Sequence, residues 1–264
     1  MTRILTAAIG VPLLLVIILA GSATLFVALV LGVALAAYRE LARLMADVGG
    51  PPLPVGYLVV AVTTLAFHPR FPLFQDLLPV AAIVIGVAAV LALGPVRGTN
   101  VSIAATVFGA FYLGAPLGSV VWLRTAPTDH QARLWVIFLL AVIMMGDACA
   151  FYAGRALGKH RLAPVLSPKK TIEGLAGGLL GSVVTAAALQ ASYVTWLSPA
   201  RALALGFVLS LSGVLGDLFE SLLKRSAGVK DTSHLLPGHG GLLDRIDSLL
   251  FAAPVLFVYV KWTS

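Results

Sequence analysis

Long stretches without a single charged residue constrain this chain more than any other feature. Residues 4–38, 77–96, 98–123 and 174–200 contain no Asp, Glu, Lys or Arg. A helix needs about 20 such residues to cross the hydrocarbon core of a bilayer. Charged residues make up only 11% of the chain, whereas soluble domains contain roughly 25%. The sequence therefore predicts an all-α, polytopic integral membrane protein.

Nine membrane-spanning helices are predicted from these runs and from the Pro and Gly residues between them. The first run is long enough for two spans that turn at Gly21-Ser22. A cleavable signal peptide is the alternative for the first span, because Arg3 precedes an apolar stretch. The predicted spans are 4–20, 23–38, 55–68, 73–94, 100–123, 134–153, 174–197, 202–223 and 247–262.

The cationic residues predict which side of the membrane faces the cytoplasm, because Lys and Arg accumulate in cytoplasmic loops. With a cytoplasmic N-terminus, thirteen of the 18 cations lie on the cytoplasmic side and five on the other. The long polar loops 154–173 and 224–246 then share the cytoplasmic side, where we expect an active-site cleft. We expect a multi-pass protein of the cell (inner or plasma) membrane, with five spans in residues 1–133 and a catalytic region in residues 134–264.

The net charge of +7 is explained by this topology and by contacts with anionic membrane lipids, so no nucleic-acid partner is expected. The single cysteine, Cys149, excludes an intramolecular disulfide and a cysteine metal cage. We therefore expect stability to come from helix packing within the bilayer.

Acidic residues concentrate in the C-terminal half, and acids close to lipid are costly enough to indicate function. Seven of the eleven are Asp147, Glu173, Asp217, Glu220, Asp231, Asp244 and Asp247. Asp217, Ser221 and Lys224 are spaced i, i+4, i+7, so they share one helical face. Such a stripe can line a polar cleft, and an ordinary i, i+4 hydrogen bond or a snorkelling helix end is the alternative.

A glycine-rich loop precedes the last predicted helix. Gly238, Gly240 and Gly241 allow positive φ and a close approach of backbone N–H groups to an anion. Asp244 and Asp247 follow, three residues apart. Carboxylates beside an anion cradle suggest a divalent cation held between protein and phosphate oxygens, as Mg²⁺ is bound. A plain turn with an Asp cap is the alternative.

The segment from Ser221 through Asp247 resembles the signature of the phosphatidate cytidylyltransferases, the CDP-diacylglycerol synthases. The matching pieces are a Ser, then Lys-Arg, Lys-Asp, Pro-Gly-His-Gly-Gly and Asp-Arg-Ile-Asp. A second block, from Gly146 to Gly174, resembles the preceding loop of that family, with departures at Ile172 and at Ala148-Cys149. The N-terminal part of the chain resembles the family only in hydropathy.

This resemblance implies the reaction of CTP with phosphatidate to give CDP-diacylglycerol and pyrophosphate, in phospholipid biosynthesis, and it implies a homodimer. The lipid phosphate attacks the α-phosphorus of CTP in line. Both reactants are anions, so the barrier that a protein can lower is charge repulsion and charge build-up on the leaving pyrophosphate. No protein nucleophile is required.

The residue types then suggest roles. We expect Asp217 and Asp244 to bind Mg²⁺, with Asp247 and Asp231 next, around two metal ions of which the second can be a different cation. Cations expected to neutralise the triphosphate and the lipid phosphate are Lys224, Arg225, Lys230 and Arg245.

Further groups are expected to orient the substrates. Ser221 and the amides from Gly238 to Gly241 would hold phosphate oxygens, and His239 would act as a base, a phosphate donor or a structural residue. Lys169 and Lys170 would close over the nucleotide, or the loop that carries them would only cap a helix through Ser167 or Thr171.

Other functions remain open at this point. Another CTP-dependent membrane lipid enzyme, such as a polyprenol or phytol kinase relative, would release CDP instead of pyrophosphate. An ion-coupled transporter would also place acids in a helical membrane protein. The transporter is disfavoured because the chain shows no pair of similar halves and its polar groups gather at helix ends and in loops.

Overall fold

The computed structural model describes residues 2–46, 53–69, 74–93, 99–126, 129–233 and 240–263. Within these ranges the protein is all-α apart from one short hairpin, which confirms the predicted class. The helices are α1 Thr2–Leu19, α2 Ala23–Leu44, α3 Leu53–Ala66, α4 Phe74–Leu93, α5 Thr99–Gly109, α6 Ala115–Thr125, α7 Asp129–Leu157, α8 Ile172–Ser192, α9 Pro199–Ser226 and α10 Leu243–Thr263. The hairpin pairs β1 Arg161–Ala163 with β2 Ser167–Thr171.

Every predicted span overlaps a helix of the structure. The span predicted at 100–123 is a continuous helical segment in which a π-helix, Ala110–Gly114, joins α5 to α6. In the described part of the chain, the helical segments long and apolar enough to cross a membrane are five: Ala23–Leu44, Thr99–Thr125, His130–Leu157, Ile172–Ser192 and Pro199–Ser226. The count of nine crossings, the cytoplasmic N-terminus and the side of the cleft stay predictions.

The chain forms two compact units. Residues 1–127 and 227–246 make up the first unit, and residues 128–226 and 247–264 make up the second. The loop that follows α9 therefore belongs with the N-terminal helices. The assignment of catalysis to residues 134–264 as a region stays a prediction.

The first unit contains a buried arginine next to the predicted turn between α1 and α2. Ser22 caps α2, because its Oγ accepts a hydrogen bond of 3.1 Å from the Leu25 amide. Arg124 of α6 is 1% exposed, and its Nη2 donates to the Gly21 carbonyl oxygen at 3.0 Å. Its guanidinium carbon lies 6.0 Å from the centre of the Phe26 ring. Arg124 thus ties α6 to the α1–α2 turn with a charge-assisted hydrogen bond and a cation–π contact.

Small residues line the contact between α7 and α8 in the second unit. They recur at every fourth position as Gly146, Ala150 and Gly154 on α7 and as Gly174, Gly178 and Ser182 on α8. A Cβ atom at Gly178 would lie 3.0 Å from Ala150 Cβ and 3.1 Å from the Gly146 carbonyl oxygen. Ser182 Oγ donates across the helices to the Val142 carbonyl oxygen at 2.9 Å. Close backbone packing and interhelical hydrogen bonds are what hold helices together in lipid.

The Gly178→Leu substitution should separate α7 from α8, because no space exists for a side chain at this position. Overpacking of this kind costs about 1–3 kcal/mol. Gly32→Leu on α2 is the matched control, since a Cβ atom there meets nothing within 4 Å. Unfolding of the purified variants in detergent, followed by circular dichroism, measures the difference. Equal stability of the two variants would contradict the described packing.

Candidate active site

Three carboxylates from α9 and α10 meet in the second unit. Their donor atoms, one each from Asp217, Glu220 and Asp247, all lie within 4.8 Å of one another. We call these three residues the acidic cluster. Glu220 is fully buried, whereas Asp217 and Asp247 are partly exposed. Like charges this close disfavour one another, so the acidic cluster requires cations.

Two lysines supply positive charge to the acidic cluster. Lys170 of β2 forms a salt bridge with Asp217, and Lys224 forms one with Glu220, four residues earlier on α9. The side chains of Lys170 and Asp217 are 23% and 32% exposed, and those of Lys224 and Glu220 are 13% and 0% exposed. The Lys224–Glu220 pair is therefore the more deeply buried, and the Lys170–Asp217 pair is open to solutes.

A glycine allows α10 to bring Asp247 to α9. A Cβ atom at Gly216 would collide with the Asp247 carbonyl oxygen, so the backbones touch one residue before Asp217. Asp247 Oδ1 accepts a hydrogen bond of 2.6 Å from the Ser248 amide. The close approach of α9 and α10 thus assembles acids that are far apart in the sequence.

The hairpin positions Lys170 through its two ends. Thr171 Oγ1 accepts a hydrogen bond of 3.1 Å from the Gly174 amide, so Thr171 caps α8, one of the two caps considered from the sequence. Glu173 accepts from the Lys159 amide at 3.1 Å, and its Oε1 lies 2.6 Å from His160 Nδ1. The segment between α7 and α8 is therefore a hydrogen-bonded hairpin and not an open loop.

The glycine-rich loop of the first unit surrounds Asp244. Asp244 Oδ2 accepts from the Gly241 amide at 2.7 Å and from the Thr232 amide at 3.1 Å, and the Thr232 hydroxyl oxygen lies 3.0 Å away. Gly240 has the expected positive φ, 79°. Gly241 is required for space instead, because a Cβ atom there would collide with Thr232 Oγ1 and with a Glu40 carboxylate oxygen. The Gly241 amide therefore donates to Asp244 in this structure, and the predicted phosphate contact of this amide stays a prediction.

The metal ligands predicted from the sequence thus do not form one group in the structure. Asp217 and Asp247 belong to the acidic cluster, while Asp244 is bonded to the loop that precedes α10. Asp231 is exposed, and Gly238 and His239 lie outside the described residues. Among the predicted cations, those with exposed side chains are Lys169, Arg225, Lys230 and Arg245. Ser221, predicted to hold phosphate, is 7% exposed.

Two acids were missed as candidate site residues. Glu220 lies three residues after Asp217 and four before Lys224, a spacing that already places it on the same side of the helix. Glu40 is buried within α2, after a run with no charge, and an acid in such a span is a functional candidate by default. The prediction concentrated on the glycine-rich loop and therefore omitted both acids.

The donors of the acidic cluster suit a divalent cation. All three are carboxylate oxygens, the hard ligands that Mg²⁺ prefers, and two of them are reached from the partly exposed side of the cluster. The described residues therefore fit the ion that the sequence leads us to expect.

The apolar helices carry an acidic cluster with two lysines beside it. These features define the class of all-α membrane proteins with a polar site. A family model described as the Cytidylyltransferase family matches residues 1–263. The chain belongs to the cytidylyltransferase family, whose members are nucleotidyl-transferring enzymes.

Named relatives agree with this membership. A phosphatidate cytidylyltransferase of Staphylococcus epidermidis is 41% identical over 136 residues, 52% of each chain. One of Bacillus subtilis is 39% identical over 148 residues, 56% of this chain and 54% of the relative. The "Uncharacterized protein YnbB" of Escherichia coli is 35% identical over 212 residues, 80% of this chain and 69% of the relative. The match thus spans about half the length of the two phosphatidate cytidylyltransferases.

The Lys224→Met substitution should destabilise the protein, because it leaves the buried carboxylate of Glu220 without its salt-bridge partner. Breaking one side of a buried pair costs about 3–5 kcal/mol. Lys170→Met should cost less, since the Asp217 side chain is 32% exposed. Glu220→Gln added to Lys224→Met should recover most of the loss. Chemical unfolding of the four proteins in detergent tests this cycle, and equal losses for the two lysine variants would contradict it.

Proposed function

We propose that this protein is a phosphatidate cytidylyltransferase that transfers CMP from CTP to phosphatidate and releases pyrophosphate. Family membership and the two named relatives support the reaction class. The observation that carries the proposal is the acidic cluster with Lys170 and Lys224 beside it. Such a site offers oxygens for a metal ion and ammonium groups for phosphate oxygens, the two things that a reaction between anions needs.

We assign Mg²⁺ to the acidic cluster, with Asp217 and Asp247 as its ligands and Glu220 behind them. A divalent ion bound there would supply positive charge to the triphosphate and to the leaving pyrophosphate. The second predicted ion, of the same or another metal, would fall to Asp244 and Asp231. Asp244 Oδ2 already accepts hydrogen bonds from two backbone amides, with which this ion would compete.

Lys170 is the residue best suited to bind the triphosphate. Successive side chains on a strand point to opposite faces, so Lys170 is directed to Asp217 while Lys169 is exposed. An ammonium group on a flexible stem can move from a carboxylate to a nucleotide phosphate without a change in the backbone. The exposed Arg225, in the same unit, would bind further phosphate oxygens in bidentate fashion, and the roles of Lys230 and Arg245 stay predictions.

Membranes that contain the protein, supplied with labelled CTP, phosphatidate and Mg²⁺, should form a labelled lipid and pyrophosphate. Asp217→Asn and Asp247→Asn should each lower turnover by roughly 100-fold or more, the scale of losing one preorganised electrostatic contact. Lys261→Gln should retain most of the activity, because Lys261 is exposed near the end of α10 and outside the acidic cluster. Near-normal turnover in both cluster variants would refute the metal assignment.

Product analysis separates the alternatives. Release of CDP with a phosphorylated lipid would establish a CTP-dependent kinase instead. Movement of ions across sealed vesicles without turnover of CTP would establish a transporter. Either result would overturn the proposed reaction, whatever the effect of the Asp variants.

The Lys170→Ala substitution should raise the KM for CTP more than it lowers kcat, because it removes a group that binds the ground state and the transition state alike. Lys169→Ala, one residue away with an exposed side chain, should change KM less. Initial rates over a range of CTP concentrations measure both constants. Identical effects of the two substitutions would show that the local positive charge matters and the position of Lys170 does not.

A further inference from the structure

Glu40 holds the chain on both sides of the glycine-rich loop. Its carboxylate is 3% exposed within α2 and accepts four hydrogen bonds from the segment that precedes α10. Oε1 accepts from Ser233 Oγ at 2.6 Å and from the Leu242 amide at 3.0 Å. Oε2 accepts from Thr232 Oγ1 and from the Leu243 amide, both at 2.8 Å. One side chain therefore binds two short stretches that are about ten residues apart.

The four donors satisfy this carboxylate where it lies. A buried carboxylate is costly unless hydrogen bonds replace its water, and an ionised carboxylate has about four acceptor sites. All four donors are hydroxyl or backbone amide groups. These hydrogen bonds are lost if residues 232–233 or 242–243 move. Glu40 therefore favours one arrangement of the two stretches.

Two of the donors belong to the beginning of α10. The first amides of a helix have no partner within the helix, and an anion close to them is favoured by the helix dipole. Leu243 is the first residue of α10 and Leu242 precedes it. Glu40 thus caps α10 from a helix near the other end of the chain. It defines where α10 starts.

Thr232 links Glu40 to Asp244. The Thr232 hydroxyl lies 2.8 Å from Glu40 Oε2 and 3.0 Å from Asp244 Oδ2, and the Thr232 amide donates to the same Asp244 oxygen at 3.1 Å. A Cβ atom at Gly241 would collide with both Thr232 Oγ1 and Glu40 Oε2. A side chain at position 241 would therefore displace Thr232 or Glu40.

We propose that Glu40 is a positioning residue for catalysis: it fixes the start of α10, whose first five residues include Asp244 and Asp247. The proposal rests on the proposed function for its catalytic consequence. Its structural part, the fixing of residues 232–233 and 242–243 by one carboxylate, is independent of the substrate. Glu40 contacts no reacting atom in this role, so it acts through the acids of α10.

Glu40→Gln tests the proposal in the full-length protein. The amide keeps the shape of the side chain but replaces one acceptor oxygen with an NH₂ group, which faces two donors. Hydrogen exchange at the Leu242 and Leu243 amides should rise at least roughly tenfold, the factor implied by the loss of one hydrogen bond to a charged group. Arg39→Gln, at the exposed neighbour on the same helix, should leave this exchange unchanged. Unchanged exchange in Glu40→Gln would overturn the proposal.

Activity per folded molecule gives the second readout. Glu40→Gln should lower kcat at least roughly tenfold and change the KM for CTP much less, because the α10 acids and not the nucleotide contacts are displaced. A purely structural role would reduce the amount of folded protein and leave kcat per folded molecule unchanged, and that result would overturn the catalytic part. Wild-type membranes without CMP transfer would refute the proposed function alone, because the exchange experiment judges Glu40 separately.

Ser233→Ala keeps the test valid if Glu40→Gln does not fold. This milder variant removes a single donor to Oε1, so it should raise exchange at Leu242 and lower kcat in the same direction but by less. Added to Glu40→Gln, it should have a smaller effect than it has alone, because the two groups interact. Fully additive effects would contradict the contact between them.

Discussion

Every charge within the apolar helices of this protein must be compensated by its neighbours, because little water reaches it. The structure uses two solutions. Glu220 is compensated by an opposite charge, that of Lys224, whereas Glu40 is compensated by four neutral donors. Ion pairing also holds Asp217, and there the partner is the more exposed Lys170, for which a substrate can compete. The four neutral donors fix the position of Glu40, since hydroxyl and amide donors hold a carboxylate only in one geometry.

The difference between ion pairs and neutral donors separates a site that can react, the acidic cluster, from one that only holds the structure, the bonds of Glu40. The acidic cluster consists of three like charges within 4.8 Å, and it is stable only while cations are close to it. Lys170 provides one of these cations from a partly exposed position. A site of this kind is suited to exchange its counter-charges, as the proposed reaction between a nucleotide and a lipid phosphate would require. The bonds around Glu40 have no such freedom.

The sequence predicted the helices well because long uncharged runs leave little choice of structure. It also led to Asp217, Asp247 and Lys170, because their spacing and their resemblance to a family signature are local features. The contacts of Glu40 could not be predicted from the sequence, for a different reason. Its partners lie about 200 residues away in the chain, and neither the hydrophobic pattern nor the spacing of charges reports such a contact. The hydrogen bonds of Asp244 were out of reach in the same way, since a motif does not show that a carboxylate accepts from the loop that precedes it.

The hairpin between α7 and α8 has a consequence for the energetics of the nucleotide binding proposed at Lys170. Its ends are held by the Thr171 cap, by the bonds of Glu173, and by two helices whose backbones touch. The loss of conformational freedom at Lys170 has therefore occurred already during folding. A nucleotide that meets this lysine does not have to order the backbone that carries it, so more of the attraction between ammonium and phosphate is expressed as affinity.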